Sequence, residues 1–194
     1  MNRIVVAGAL AAALILPGAA EAELKHEQAL KELVASQLRA IAENPLVIDA
    51  VAQQNAANSA IAQPEIDKLD QQWRAEVDGQ DKALISRVMA TELSNYLKQV
   101  SDDAGGLYTE IIVMDGKGLN VGQSSVTSDY WQGDEAKWLK TYPVGADAVF
   151  VDEIEKDEST QQLQSQVSFS IVDPASHQVI GAITFGVNLD LLGG

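Results

Sequence analysis

The chain has 194 residues and no cysteine, and 28 acidic against 13 basic side chains leave a formal net charge of −15. Zero cysteines exclude a disulfide framework, a thiolate metal site and a Cys nucleophile. A sequence pI of about 4.3 argues against nucleic acid or an anionic lipid surface as partner, because phosphate recognition needs clustered Lys and Arg.

Residues 1–22 read as an address. Arg3 supplies a positive start, Ile4 to Leu16 are apolar or small, and Ala20-Glu21-Ala22 offers an A-x-A cleavage site. The run is shorter than the ~20 residues of a membrane-spanning helix, so a cleaved secretory signal is expected, with the mature chain from Glu23 exported to a periplasm and not membrane-spanning. A body of roughly 170 residues buries a core without staples. Losing residues 1–22 removes one basic and one acidic side chain, so the mature charge remains −15.

The mature chain reads as helices first. Between residues 24 and 42, Leu30, Val34, Leu38 and Ile41 form one amphipathic stripe. Asn44-Pro45 breaks it and supplies an N-cap and first-turn pair for a second helix over 45–54. Residues 55–63 are expected as a loop. Pro64 opens another helix with Ile66, Leu69 and Trp73 on one face. After Gly79, Asp81 is expected to cap one longer helix carrying Ile85, Val88, Met89, Tyr96, Leu97 and Val100, which stops at Asp102-Asp103-Ala104-Gly105-Gly106.

Strands follow. Residues 108–115 and 119–125 flank Gly116-Lys117-Gly118 and predict a β-hairpin. Residues 148–155, 163–172 and 179–188 predict three more strands, joined by the polar turns 156–162 and 173–177. An aromatic-rich excursion, 126–145, separates the second strand from the third. Strands gathered after helices indicate an α+β fold, with long N-terminal helices on a five-stranded antiparallel sheet. The organisation read here is a helical part over 23–104 and a sheet part over 105–194, with 126–145 as its cover.

No enzyme signature is legible. His26 lies at the mature N-terminus and His177 in a turn, so neither has the support a triad base needs. No G-x-S-x-G, H-E-x-x-H or P-loop pattern occurs. Two histidines without cysteine do not make a zinc or redox-metal site, and the acidic stretch 152–158 lacks EF-hand spacing and reads as solvated. A spatial carboxylate pair would leave no local trace, and nothing local favours one. Neither cofactor nor metal is expected.

The chemically suggestive stretch is 127–135 with Trp138. Asp129, Tyr130, Trp131 and Trp138 combine aromatic walls with a carboxylate able to accept an ammonium, the pattern of a small-ligand site; closing the insertion as plain core is the competing use of the same rings. Alternation adds a floor. Val167, Phe169 and Ile171 face one side of their strand while Ser168 and Ser170 face the other, and Ile183, Phe185 and Val187 alternate with Thr184. Ser168, Ser170 and Thr184 are thus candidate pocket-floor residues, a pattern that solvent exposure also explains.

These segments in order, "ENPLVIDAV", "IIVMDGKGLNVGQSS", "TSDYWQGDEAKW" and "VIGAITFGVNLDLL", resemble a Cache sensor domain, the extracellular PAS-like module. The pieces D-x-x-G-x-N-V at 115–121, S-D-Y-W at 128–131 and I-G-A-I-T-F-G-V at 180–187 carry most of the likeness. The resemblance implies a cavity between sheet and cover for an amino acid, amine or carboxylate, with Asp129, Tyr130 and Trp131 as cover contacts and Ser168 and Ser170 on a lining strand. Family members sit between membrane helices and feed an output domain. Here the expectation is a free-standing periplasmic module that signals through a membrane-bound protein or delivers its ligand. The alternative is an interaction protein whose Leu30/Val34/Leu38/Ile41 stripe binds a partner or a second copy, its pocket vestigial.

Overall fold

The structure, a computed structural model, describes residues 17–156 and 162–192, with side chains from Leu24 onward. The signal segment to residue 16 and most of the turn 156–162 therefore lie outside the described residues. No helix among the described residues is long and apolar enough to cross a membrane.

The first stripe folds as α1 (Pro17–Leu33), a π-helical turn (Val34–Leu38) and α2 (Arg39–Ala42). Leu30, Val34, Leu38 and Ala42 are all buried, at successive steps of four. In a regular α-helix each such step overshoots a turn by about 40°, which would carry Ala42 off the core face. The π turn accommodates an extra residue and returns the stripe to one side. Ala42, not the expected Ile41, takes its last buried position. The stripe is covered by the chain's own sheet: it packs in one cluster with Val167, Phe169, Ile183, Phe185 and Val187.

Asn44 caps α3 (Pro45–Ala57) through Oδ1, which accepts the Leu46 amide at 3.0 Å. This helix runs past the expected loop start, and the extension brings Asn55 to the hairpin, where its Oδ1 accepts the Gly116 amide at 2.8 Å. Next comes α4 (Gln63–Asp78). The single long helix expected after Gly79 is two: α5 (Ala83–Met89) and α6 (Glu92–Asp103). The break is a capping event. Thr91 leaves helical dihedrals and its Oγ1 accepts the Ser94 amide at 3.1 Å. Asp81 does not cap α5. Buried Glu76 from α4 does so, accepting the Leu84 amide at 2.8 Å and the Ile85 amide at 2.9 Å, with Gln72 Nε2 donating at 2.7 Å.

The sheet comprises β1 (Tyr108–Met114), β2 (Asn120–Gln123), β3 (Val149–Val151), β4 (Glu155–Lys156), β5 (Leu163–Val172) and β6 (Val179–Asn188). All pairings are antiparallel, in the order β2-β1-β6-β5-β3, with β4 also on β5. The expected strand 148–155 is interrupted, so its end forms a sixth, two-residue strand. The fold is α+β, with helices covering one sheet face and the excursion, carrying α7 (Ala136–Leu139), on the other. Ile111, Val113, Phe169 and Phe185 face the helices; Ile112, Met114 and Ala182 face Trp138 and Tyr142 of the cover.

Two measurements check this core. Leu38→Ala should lower unfolding free energy by about 2–5 kcal/mol in denaturant titration, whereas a stripe held for a partner would lose little. Burial raises the Glu76 pKa, but the bonds from Gln72, Ile85 and Leu84 and the Lys82 charge outweigh it and hold the group below its ordinary range. With the folded pKa depressed, its stabilisation is present above the unfolded pKa of about 4.3 and is lost as pH falls through the folded value. Stability curves between pH 6 and 3 should therefore be shallower for Glu76→Gln than for wild type.

Candidate functional site

The hairpin turn anchors the cover. Asp115 is fully buried, and its Oδ1 accepts the backbone amides of Lys117 at 2.8 Å and Leu119 at 3.0 Å. Its Oδ2 accepts Gln54 Nε2 at 3.0 Å and Asn58 Nδ2 at 2.9 Å from α3. Trp138 Nε1 donates to the Asp115 carbonyl at 3.1 Å. Gly118 sits at φ +81°, and a Cβ there would lie 2.6 Å from the Gly133 nitrogen, so turn and cover meet backbone to backbone.

The S-D-Y-W segment is clamped to α4. Asp70 Oδ1 accepts the amides of Tyr130 at 2.9 Å and Trp131 at 3.1 Å, while Oδ2 pairs with Arg74 Nε at 2.7 Å. Arg74 Nη2 reaches Asp129 Oδ2 at 3.2 Å, and Gln132 Nε2 donates to Asp129 Oδ1 at 2.5 Å. The Asp70 bond, opposed by desolvation and helped by the nearby carboxylates, raises the Arg74 pKa. Tyr130 stacks on Trp73 with centroids 5.4 Å apart. Trp131 Nε1 donates to the Lys117 carbonyl at 2.8 Å.

The seven residues selected from sequence thus fall into two groups. Asp129, Tyr130 and Trp131 face α4 and the hairpin turn, and the Asp129 carboxylate already holds Arg74 and Gln132. Trp138, Ser168, Ser170 and Thr184 occupy the sheet's outer face. Trp138 stacks on Tyr142 at 5.0 Å and covers Ile112, Met114 and Ala182. Ser168 and Thr184 hydroxyls share a 2.8 Å hydrogen bond, and Ser170 Oγ donates to the Gly145 carbonyl at 2.7 Å. The cover fills this part of the face.

Open space remains beside it. A cleft of about 200 Å³ lies between α7 and the ends of β5 and β6, walled by Glu110, Glu135, Lys137, Asp152, Glu153 and Glu155, with Gln166 and Gly186 also on its lining. Glu110 reaches it because it shares the outward parity of Ile112 and Met114; the register shift between Tyr108 and Glu110 re-aims Tyr108 into the helix-side core. Gly186 lies opposite Glu110, and a Cβ there would collide with Thr109 Oγ1. Gln166 Nε2 donates to Glu110 Oε1 at 2.7 Å. Lys137 Nζ meets Glu135 Oε2 at 2.9 Å and Gln132 Oε1 at 3.2 Å. Burial holds the Glu135 carboxyl above its ordinary range; Lys137 opposes that and Asp129 reinforces it. Gln132 therefore links the cleft to Asp129, and Asp129 links it to α4.

Sequence reasoning missed these wall residues. Glu110 and Gln166 were within its reach, since Glu110 shares the parity of Ile112 and Met114 and Gln166 that of Ser168 and Ser170; the bulge that turns Tyr108 inward leaves no local mark. Asp152 belongs to a run read as solvated, and it is half-buried. Among the described residues no group of three or more His, Asp or Glu side chains is placed to hold a metal ion.

No family model matches the sequence, and no curated protein does. The solved structures it aligns with include sensor and ligand-binding domains of other proteins, all at low identity. The V. cholerae histidine kinase DctB sensor domain is 13% identical, over 89% of this chain and 58% of that one, at a TM-score of 0.36. The ligand-binding domain of the Pseudomonas aeruginosa PAO1 amino acid chemoreceptor PctC, in complex with GABA, is 14% identical over 72% and 59%, at 0.37. The periplasmic domain of RsbU from Chlamydia trachomatis is 13% identical over 87% and 56%, at 0.40. This chain spans less than two thirds of each.

The α4 clamp is testable by itself. Asp70→Ala removes the acceptor of the Tyr130 and Trp131 amides and one of the two Arg74 ion pairs, and should cost about 2–3 kcal/mol on the scale of hydrogen bonds to a charged group. A red shift in tryptophan emission from Trp73 and Trp131 should accompany it.

Proposed function

We propose that this protein is an exported, non-catalytic sensor module that takes a small ligand bearing a protonated amine in the cleft between α7 and the outer sheet face. The observation that carries the reading is the wall itself: among the described residues five carboxylates, Glu110 at its floor, stand against a single ammonium, Lys137, that already holds Glu135. An amine desolvated there exchanges water for charge-assisted hydrogen bonds, and the semi-enclosed shape raises each above its value in open water. A zwitterion fits the same wall, with Lys137 beside its carboxylate. Asp129 then acts as a link between cleft and helix layer, holding Gln132 and Arg74, in place of the ligand contact expected of it.

Binding at Lys137 and Glu135 reaches α4 through Gln132, Asp129, Arg74 and Asp70, each in contact with the next. Ligation shifts this chain of polar contacts only to the extent that the ligand prefers one arrangement of it. A membrane-bound partner reading that shift, or simple delivery of the ligand, completes the function. Burial of Leu30, Val34 and Leu38 in the chain's own core supports this reading over a partner-binding helix.

The test is a thermal-shift screen in physiological salt, which screens the diffuse attraction of a −15 chain for any cation. Putrescine, GABA, valine and succinate are compared. A ligand at 100 times its dissociation constant stabilises by about 2.7 kcal/mol, a shift of several degrees. Amine-bearing probes should raise the midpoint, succinate should not, and Glu110→Gln should weaken the response at least several-fold. A flat screen, or a response indifferent to Glu110→Gln, would remove the proposal.

A further inference from the structure

A second cleft, of opposite chemistry, opens at the β2 edge. It measures about 550 Å³ and lies between α3, α4, α5 and β2, with Leu69, Val88 and Val121 among its apolar walls. That volume falls in the range of ~300–1,000 Å³ common for small-ligand sites. Arg87 is the one charged side chain lining it among the described residues. In a chain of net charge −15, a cleft whose wall carries a cation and no carboxylate is unexpected from composition.

Lys31, Arg74, Lys98 and Lys137 each hold a carboxylate. Arg87 is exposed and, among the described residues, has no carboxylate within ion-pair distance. The carboxylate that acts on the neighbouring Tyr130 phenol is Asp115, which is fully buried, with both oxygens already occupied by amide donors. What Arg87 does face is the Tyr130 phenol. Burial raises the pKa of that hydroxyl and Arg87 only partly offsets the effect, so the phenol stays protonated and can donate.

We propose that this cleft binds a small monocarboxylate with an apolar tail, its oxygens on the Arg87 guanidinium and the Tyr130 hydroxyl, its tail against Leu69, Val88 and Val121. A planar guanidinium matches a carboxylate in two parallel hydrogen bonds, which an ammonium cannot do. The site is separate from the acidic cleft, shares no wall residue with it, and selects the opposite charge.

Hexanoate is a suitable probe, with hexanamide as its neutral isostere, titrated into the protein and followed by thermal shift and by amide chemical shifts. The expected result is saturable hexanoate binding that perturbs Val88, Val121 and Tyr130, with no comparable response to hexanamide. Arg87→Gln should weaken hexanoate at least tenfold, Arg87→Lys should retain part of the affinity, and Glu110→Gln should leave it unchanged. Arg87 is exposed, so far-UV circular dichroism of both variants should match wild type. The chemical-shift map in wild type decides the matter independently of any variant. Absence of saturable binding, equal binding of hexanamide, full affinity in Arg87→Gln, or perturbation centred on Lys137 would each overturn the proposal. Amine binding at the acidic cleft has probes of the opposite charge and its own variant, so failure at either site is read separately.

Discussion

A carboxylate taken fully out of water must find its stabilisation in fixed donors, and Asp115 finds it in four. Two are amides of its own turn, at Lys117 and Leu119, and two are side chains of α3, Gln54 and Asn58. No cation lies within ion-pair distance of it among the described residues. Each donor is useful only if the hairpin turn and α3 hold their relative position, so the desolvation cost of one charge makes register between helix layer and sheet an all-or-none matter. The cover is tied to the same point by Trp138, whose indole donates to the Asp115 carbonyl.

From that anchor the cover extends in two directions with different chemistry. Its first half, with Asp129, Tyr130 and Trp131, is fastened to α4 by the Asp70 carboxylate and by the Trp73–Tyr130 stack. Its second half lays Trp138 and Tyr142 on Ile112, Met114 and Ala182, which closes most of the outer face. One cleft opens where the aromatic plug ends, at the Glu110–Gly186 pair, and another along the β2 edge among the helices. The two clefts differ in charge because the elements bounding them differ: strand ends and the acidic 152–155 segment in one case, the amide-rich inner side of α3 and Arg87 in the other.

Much of the fold was legible, and for identifiable reasons. Alternation in β5 and β6 separated Val167, Phe169 and Phe185 from Ser168, Ser170 and Thr184 correctly, because a strand has only two faces. Asn44 announced α3 because an Asn-Pro pair offers a cap and a first turn together. The helix break at Thr91 was overlooked although its capping residue stood in plain view; the apolar spacing on either side suggested continuity. The π turn was invisible, since a four-residue repeat is compatible with a drifting helix until something to pack against is known.

The candidate site divides along the same line. By itself the sequence determined the class of fold, the two faces of the sheet, and the concentration of aromatics and carboxylates in the cover. It determined these because periodicity and composition are local properties, present before any long-range contact forms. Only the tertiary structure decided which carboxylates are free. Asp129, the most suggestive on paper, is consumed by Arg74 and Gln132, from α4 and from its own loop. Glu110, unremarked in the sequence, faces a cleft beside the Gly186 backbone, with Gln166 as its partner. A charge is available to a ligand only if no neighbour has already neutralised it, and neighbours separated by tens of residues are assigned by packing.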